Sequence, residues 1–144
     1  MKKLFLVLAT ASTFVACKKS SPATEDCAVT NASITGKYTI TSVTYKASSS
    51  AAETDMFASM QDCQKDDSYD LKADGSLVIE EETNNCGMPQ LPGSPTEWSL
   101  DKNNTELIMG ANFKIVSFNC KKLVVVETNL ITDGDMKTTT YQKN

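Results

Sequence analysis

The chain is 144 residues long, 40% hydrophobic and 7% aromatic, which is enough apolar material for one core and too little for a multidomain enzyme. All 14 basic residues are lysines, histidine is absent, and 18 carboxylates set the formal charge at −4. Histidine catalysis, histidine metal sites and arginine phosphate clamps are thereby excluded, and nucleic acid is not an expected partner.

Lys2 and Lys3 precede an apolar run from Leu4 to Val15 that ends in small residues. This is the charged, apolar and cleavage pattern of a secretory signal peptide, placed at 1–16, and it is shorter than a membrane span. Phe14-Val15-Ala16-Cys17 resembles the lipobox of bacterial lipoproteins, in which the cysteine is acylated and becomes the first mature residue, although Phe14 replaces the usual leucine. The resemblance implies lipidation of Cys17; the competing readings are ordinary cleavage after Ala16, leaving a free thiol, and a retained anchor helix. Five cysteines are odd for an oxidising compartment, but with Cys17 committed to lipid, Cys27, Cys63, Cys86 and Cys120 pair completely.

Loss of the leader removes Lys2 and Lys3, leaving 12 lysines against 18 carboxylates and a formal charge of −6, an acidic surface that keeps a tethered protein soluble. Each buried methylene contributes about 0.8 kcal/mol, so the acyl chains of a mature lipoprotein anchor it to the membrane essentially permanently. Residues 17–33 are polar and small, the composition of a flexible tether with a mean reach of about 20 to 25 Å. Lys18 is not the aspartate that, by resemblance to enteric lipoproteins, retains a protein at the inner membrane, so the expected location is the outer membrane of a bacterial envelope.

From Gly36 onward, alternating or β-branched segments separated by turn residues predict an antiparallel all-β domain over 34–144. Eight strands are expected, near 36–46, 67–72, 76–83, 96–101, 105–109, 113–118, 122–130 and 136–142. Tyr38 and Ile40 lie on one parity and Val43 and Tyr45 on the other, which predicts a kink near Thr41-Ser42. Between the first two strands, Ser50-Ala51-Ala52-Glu53 reads as a capping box ahead of Met56, Phe57 and Met60, predicting a helix from about Ala51 to Gln61. That helix would plug one end of the domain or, being rich in methionine, form a lid over a ligand cavity.

Leu71 and Tyr69 must share a face with Leu77 and Ile79, which demands an odd loop. Ala73-Asp74-Gly75 supplies it, with glycine at the left-handed position. Extending that ladder to its open end sets residue 63 opposite 85, so geometry selects Cys63 with Cys86 and leaves Cys27 for Cys120. The next hairpin calls for an even loop: Asn103-Asn104 pairs Leu100 with Leu107 and Trp98 with Met109, making Trp98 a core anchor. The run Leu123 to Val126 predicts a strand covered on both faces or a local bulge.

Eight meandering strands close into an up-and-down barrel, which removes exposed edges. In that topology Cys27 and Cys120 share one rim, Cys63 and Cys86 the other, and the mouth lies distal to the lipid anchor. Gly36-Lys37-Tyr38, Asp62-Cys63-Gln64-Lys65-Asp66-Asp67, Asp74-Gly75 and Thr96-Glu97-Trp98-Ser99-Leu100 together resemble the small bacterial lipocalin-like lipoproteins, with Tyr38 where the lipocalin Gly-x-Trp pattern carries tryptophan. The resemblance spans about Ile34 to Lys143 and implies an eight-stranded lipocalin-like barrel anchored to a membrane.

No nucleophile or acid–base group stands out, so no catalytic residue, cofactor or metal ligand is expected. The acidic group Asp62, Asp66, Asp67, Asp70, Glu80, Glu81 and Glu82 lacks the ordered spacing and turn glycine of a calcium loop and reads as a solvated face. The favoured expectation is a noncatalytic module holding a small apolar or amphipathic ligand. Tyr38, Tyr69, Trp98, Met109 and Phe113 are its candidate lining, and Met56 and Met60 belong to the lid. The alternatives are that these side chains fill the barrel of a structural or protein-interaction lipoprotein, and, more remotely, an enzyme of unknown type.

Overall fold

A computed structural model describes residues 26–84, 86 and 95–144. The expected leader, Cys17 and residues 18–25 of the expected tether lie outside these residues. The described chain forms β1 (Gly36–Lys46), β2 (Thr54–Asp55), β3 (Ser68–Leu71), β4 (Leu77–Glu80), β5 (Ser99–Leu100), β6 (Glu106–Ile108), β7 (Asn112–Phe118), β8 (Lys122–Thr128) and β9 (Met136–Lys143). Two single-turn helices, α1 (Asn31–Ile34) and α2 (Asp62–Lys65), and a 3₁₀ turn at Phe57–Ser59 complete it.

All nine strands join one antiparallel sheet in the order β4-β3-β1-β9-β8-β7-β6-β5, with β2 paired to the end of β1. The chain therefore meanders, and its first and last strands meet. The sheet curls into a half-barrel whose edges touch at an isolated bridge, Ser76 with Glu97. There Leu77 N donates to Thr96 O and Trp98 N to Gly75 O, each at 2.8 Å.

Eight of the nine strands, β1 and β3 to β9, fall at the expected segments, several of them shorter; β2 is an unexpected ninth, and the sheet forms a half-barrel in place of the expected closed eight-stranded barrel. Two bulges turn the strands where parity changes. On β1 the register against β9 shifts between Ile40 and Ser42, which keeps Ile40 and Val43 on the core side. The second bulge lies on β7, between Ile115 and Ser117, opposite the valine run rather than within it. Leu123 and Val125 face the core at 1% exposure, while Val124 and Val126 are half-buried on the other face.

The expected helix from Ala51 to Gln61 does not form. Thr54 and Asp55 instead pair with Tyr45 and Thr44 of β1 as β2, and Met56 N donates to Val43 O at 2.9 Å. An isolated short helix carries an unfavourable nucleus, whereas a strand added to an existing ladder does not. Asp55 Oδ1 accepts from Ala58 N at 3.0 Å at the start of the 3₁₀ turn, and the helical residues fall later, at α2.

Side-chain carboxylates organise the hairpin turns. In the β3–β4 turn the expected register holds, with Leu71 opposite Leu77 and Tyr69 opposite Ile79. Gly75 takes φ 87° and Asp74 Oδ1 accepts from Ser76 N at 2.9 Å. In the β5–β6 turn Leu100 pairs with Leu107 as expected, but the loop is 102–105 rather than Asn103-Asn104 alone. Asp101 widens it by accepting from Asn103 N, Thr105 N and Glu106 N, which leaves the parity unchanged. In the β8–β9 turn the buried Asp135 accepts from Leu130 N, Ile131 N, Thr132 N and the Tyr45 hydroxyl, at 2.7 to 3.0 Å.

One end of the half-barrel is packed shut. The tether expected over 17–33 is part of the folded body from Cys27: Cys27 N donates to Phe118 O at 2.8 Å, and α1 places Ile34 at 0% exposure over the core. Thr30 caps α1 in reciprocal hydrogen bonds with Ser33. The Tyr38 hydroxyl donates to Ile34 O at 2.6 Å, and Lys143 Nζ lies 5.7 Å from the Tyr38 ring centre while donating to Ser33 O at 2.8 Å. Gly36 makes this close approach feasible, since at its φ of 147° a Cβ would collide with Lys143 Cε.

Both disulfides join the expected partners at opposite ends of the sheet. Cys27–Cys120 ties the segment before α1 to the β7–β8 turn with Cα atoms 5.2 Å apart, and Cys63–Cys86 spans 5.3 Å. Cys63 reaches its partner from α2, not from an extension of the β3–β4 ladder, which begins at Ser68.

Replacing Cys27 and Cys120 together by serine opens a crosslink of 93 residues, against 23 for Cys63 and Cys86. Urea unfolding is expected to show a loss of about 2 to 4 kcal/mol for the first pair and a smaller loss for the second. Asp135 supplies an acid-side prediction. Burial opposes its ionisation, but the backbone N–H groups of Thr132, Ile131 and Leu130 and the Tyr45 hydroxyl outweigh it and hold the pKa at about 2. A carboxyl depressed on folding stabilises the fold above its unfolded value near 3.8 and loses that contribution as pH falls toward 2. Circular dichroism should therefore show the Asp135→Asn melting temperature lower by about 5 °C or more at pH 7, with the gap to wild type narrowing across that window.

Candidate functional site

The inward side chains change character along the half-barrel. At the α1 end Tyr38, Leu71, Leu107, Leu123 and the base of Tyr141 meet without leaving room for a water. Toward the opposite end the wall residues are Ile40 and Val43 of β1, Leu77 and Ile79 of β4, Thr139 of β9, Met109 and Phe113, and these leave a cavity of about 290 Å³. Met60, beyond the 3₁₀ turn, and Pro95 also border it. Small-molecule pockets span roughly 300 to 1,000 Å³, so this one lies at the lower limit.

Polar groups concentrate on one wall. Tyr69 of β3 and Tyr141 of β9 meet edge to face, with ring centres 5.6 Å apart at 78°. Tyr141 is 7% exposed and Thr139 4%, both line the cavity, and among the described residues the hydroxyls of Tyr69, Thr139 and Tyr141 make no hydrogen bond. Burial, then the neighbouring Tyr69 and Glu127, raise the Tyr141 phenol above its usual range, so it stays protonated and able to donate at any physiological pH.

Lys137 precedes Thr139 on the same inward parity and lines the cavity, and its ammonium is ion-paired with Glu127, its register partner on β8. Asp67 continues the parity of Tyr69 and Leu71 beyond β3, and Glu81 that of Leu77 and Ile79 beyond β4. Burial, then Glu81 and Asp66, push the Asp67 carboxyl above its usual value, and Asp67 Oδ1 is buried without a hydrogen-bond partner among the described residues. The open end is therefore acidic, with one lysine already neutralised.

Of the residues singled out from sequence, Tyr69, Met109, Phe113 and Met60 come together at the cavity. Three do not. Tyr38 is buried in the packed base, where α1 takes up its hydroxyl. Trp98 is 5% exposed at the seam, with its indole N–H donating to Lys72 O at 2.9 Å. It lines a separate open groove of about 770 Å³ walled by Asp74, Gly75, Ser76 and Glu97. Met56 is 40% exposed, because β2 replaces the helix that would have turned it inward.

Sequence reasoning missed the polar wall. Lys137, Thr139 and Tyr141 stand in a strand whose other positions are, apart from Met136, also polar, so hydrophobic alternation gives no parity; the available signal is the pairing of Lys137 and Glu127 across one hairpin. Among the described residues no group of three or more acidic or cysteine side chains is arranged to hold a metal ion. Comparison with protein-family models, curated proteins and solved structures finds no match to this chain.

The two ends of the core predict different costs of truncation. Leu107→Ala, in the packed base at 1% exposure, is expected to lose about 2 to 4 kcal/mol in chemical denaturation. Met60→Ala, on a wall that already faces space, should lose less than about 1 kcal/mol. Equal losses would mean that the open end is as tightly filled as the base.

Proposed function

We propose that the protein is a membrane-tethered, noncatalytic binding module that holds a small apolar or amphipathic molecule at the open end of a lipocalin-like, eight-stranded barrel. The observation that carries this reading is the cavity of about 290 Å³, apolar on most of its wall and set above a base with no room for a water. A structural lipoprotein with a side-chain-filled interior would have no reason to keep it, since unfilled apolar volume costs stability.

In this reading Cys17 carries the lipid and the chain reaches the folded body at Cys27, on the packed rim. Cys27–Cys120 lies at that rim and Cys63–Cys86 at the other, so the cavity opens away from the anchor. The complete pairing of the remaining four cysteines supports giving Cys17 a separate fate. The expected setting is the outer membrane of a bacterial cell.

Native mass spectrometry of protein purified from its own envelope tests the binding reading: a bound small molecule that leaves on mild activation is expected, and a bare chain would favour the structural alternative. Fractionation tests the anchor. Cys17→Ser should move the protein from membrane to soluble fractions, and unchanged retention would refute lipidation there.

A further inference from the structure

The cavity's polar wall narrows the class of ligand, and this step rests on the binding reading above. Three hydroxyls, those of Tyr69, Thr139 and Tyr141, face or border the cavity without a hydrogen-bond partner among the described residues, and Thr139 and Tyr141 are each more than nine-tenths buried. The three oxygens are not among the buried atoms that lack a partner, so water reaches them until a ligand fills the cavity; a hydroxyl sealed under that ligand without a partner is costly, so a ligand atom that accepts from these donors gains where a hydrocarbon does not.

The charges exclude one sign of ligand and do not invite the other. Lys137 is already neutralised by Glu127, leaving an ammonium with N–H groups to spare but no uncompensated positive charge. An entering carboxylate would place a second anion beside Glu127 and pass Asp67 and Glu81 at the open end. An entering ammonium would find the one carboxylate beside the cavity wall, Glu127, already taken by Lys137, and, having no lone pair, could not accept from the three hydroxyls. A neutral acceptor meets neither penalty. The volume, about 290 Å³, suits a single ring or short chain rather than a full-length lipid tail.

We infer that the cavity selects a small uncharged molecule with an apolar body and one hydrogen-bond-accepting group of the ketone, ester or amide kind, received by Tyr141, Thr139 and Tyr69 beside the Lys137–Glu127 pair.

The test uses the full chain with methionine methyl groups labelled for NMR, because Met60 and Met109 line the cavity while Met56 is exposed outside it. Four probes of one size are titrated: acetophenone, ethylbenzene, benzoate and 1-phenylethylamine. Acetophenone is expected to shift the Met60 and Met109 methyl signals and leave Met56 in place, with affinity about five- to tenfold above that of ethylbenzene and higher still relative to benzoate and the amine. Tyr141→Phe, which removes one oxygen, should bring acetophenone to within about twofold of ethylbenzene. Thr139→Val is the second variant should Tyr141→Phe not fold, and it should reduce the same preference.

Equal affinity for acetophenone and ethylbenzene, tighter binding of benzoate or the amine, or an unchanged preference in the variants would overturn the selection while leaving the cavity a binding site. Failure of all four probes to move Met60 and Met109 would overturn the binding reading and this inference together.

Discussion

The pairing of β1 with β9 is the constraint on which the other features depend. Residues from the two ends of the folded chain run side by side from Tyr38 opposite Lys143 to Lys46 opposite Met136. Every other ladder joins strands that follow one another in the chain or, for β1 and β3, are separated only by the short β2, so this pairing is the one that brings the two ends of the folded chain together and, with the Ser76–Glu97 bridge, gives the sheet an inside. Its contacts are the costliest to assemble in chain entropy, because the closing loop is almost the whole domain. Both of its ends are secured by side chains: Lys143 reaches across to Ser33 and lies over Tyr38 at one, and Tyr45 donates to Asp135 at the other.

The hollow end follows from which residues that pairing turns inward. Near α1 the ladder supplies Tyr38 and Tyr141, large enough to meet Leu107 and Leu123 across the interior. Farther along it supplies Val43 and Thr139, which are short, and then Lys137, whose head turns aside to Glu127. A sheet of fixed curvature lined by shrinking side chains leaves space between them. The bulge after Ile40 is part of the same device, since without it Val43 would face outward and Ser42 inward.

Much of this frame could be read from residue alternation, because parity survives errors in loop length. The β5–β6 hairpin illustrates the point: the turn expected from sequence is two residues tighter than the one that forms, yet Leu100 still meets Leu107, since an even loop of either size preserves the facing side chains. The same reasoning found the β3–β4 register, the β1 bulge and both cysteine pairings. It failed where the deciding partner is distant. Ser50 to Glu53 has a sound local helix signal, but β1 offers Thr54 and Asp55 an edge to join, and no local pattern reports that offer. The polar wall of the cavity stayed hidden for a related reason: on β9 hydroxyls occupy both faces, so composition cannot separate those that meet solvent from those that line the interior.

The position of the Cys27–Cys120 bond has a mechanical consequence. Any pull on the chain ahead of Cys27 arrives first at a covalent link to the β7–β8 turn, beside the hydrogen bond from Cys27 N to Phe118 O. Tension is thus shared into two central strands and does not run through α1 to peel β1 from its neighbours one residue at a time. The β1–β9 ladder, which brings the two ends of the folded chain together, stays unloaded while the outside is tugged.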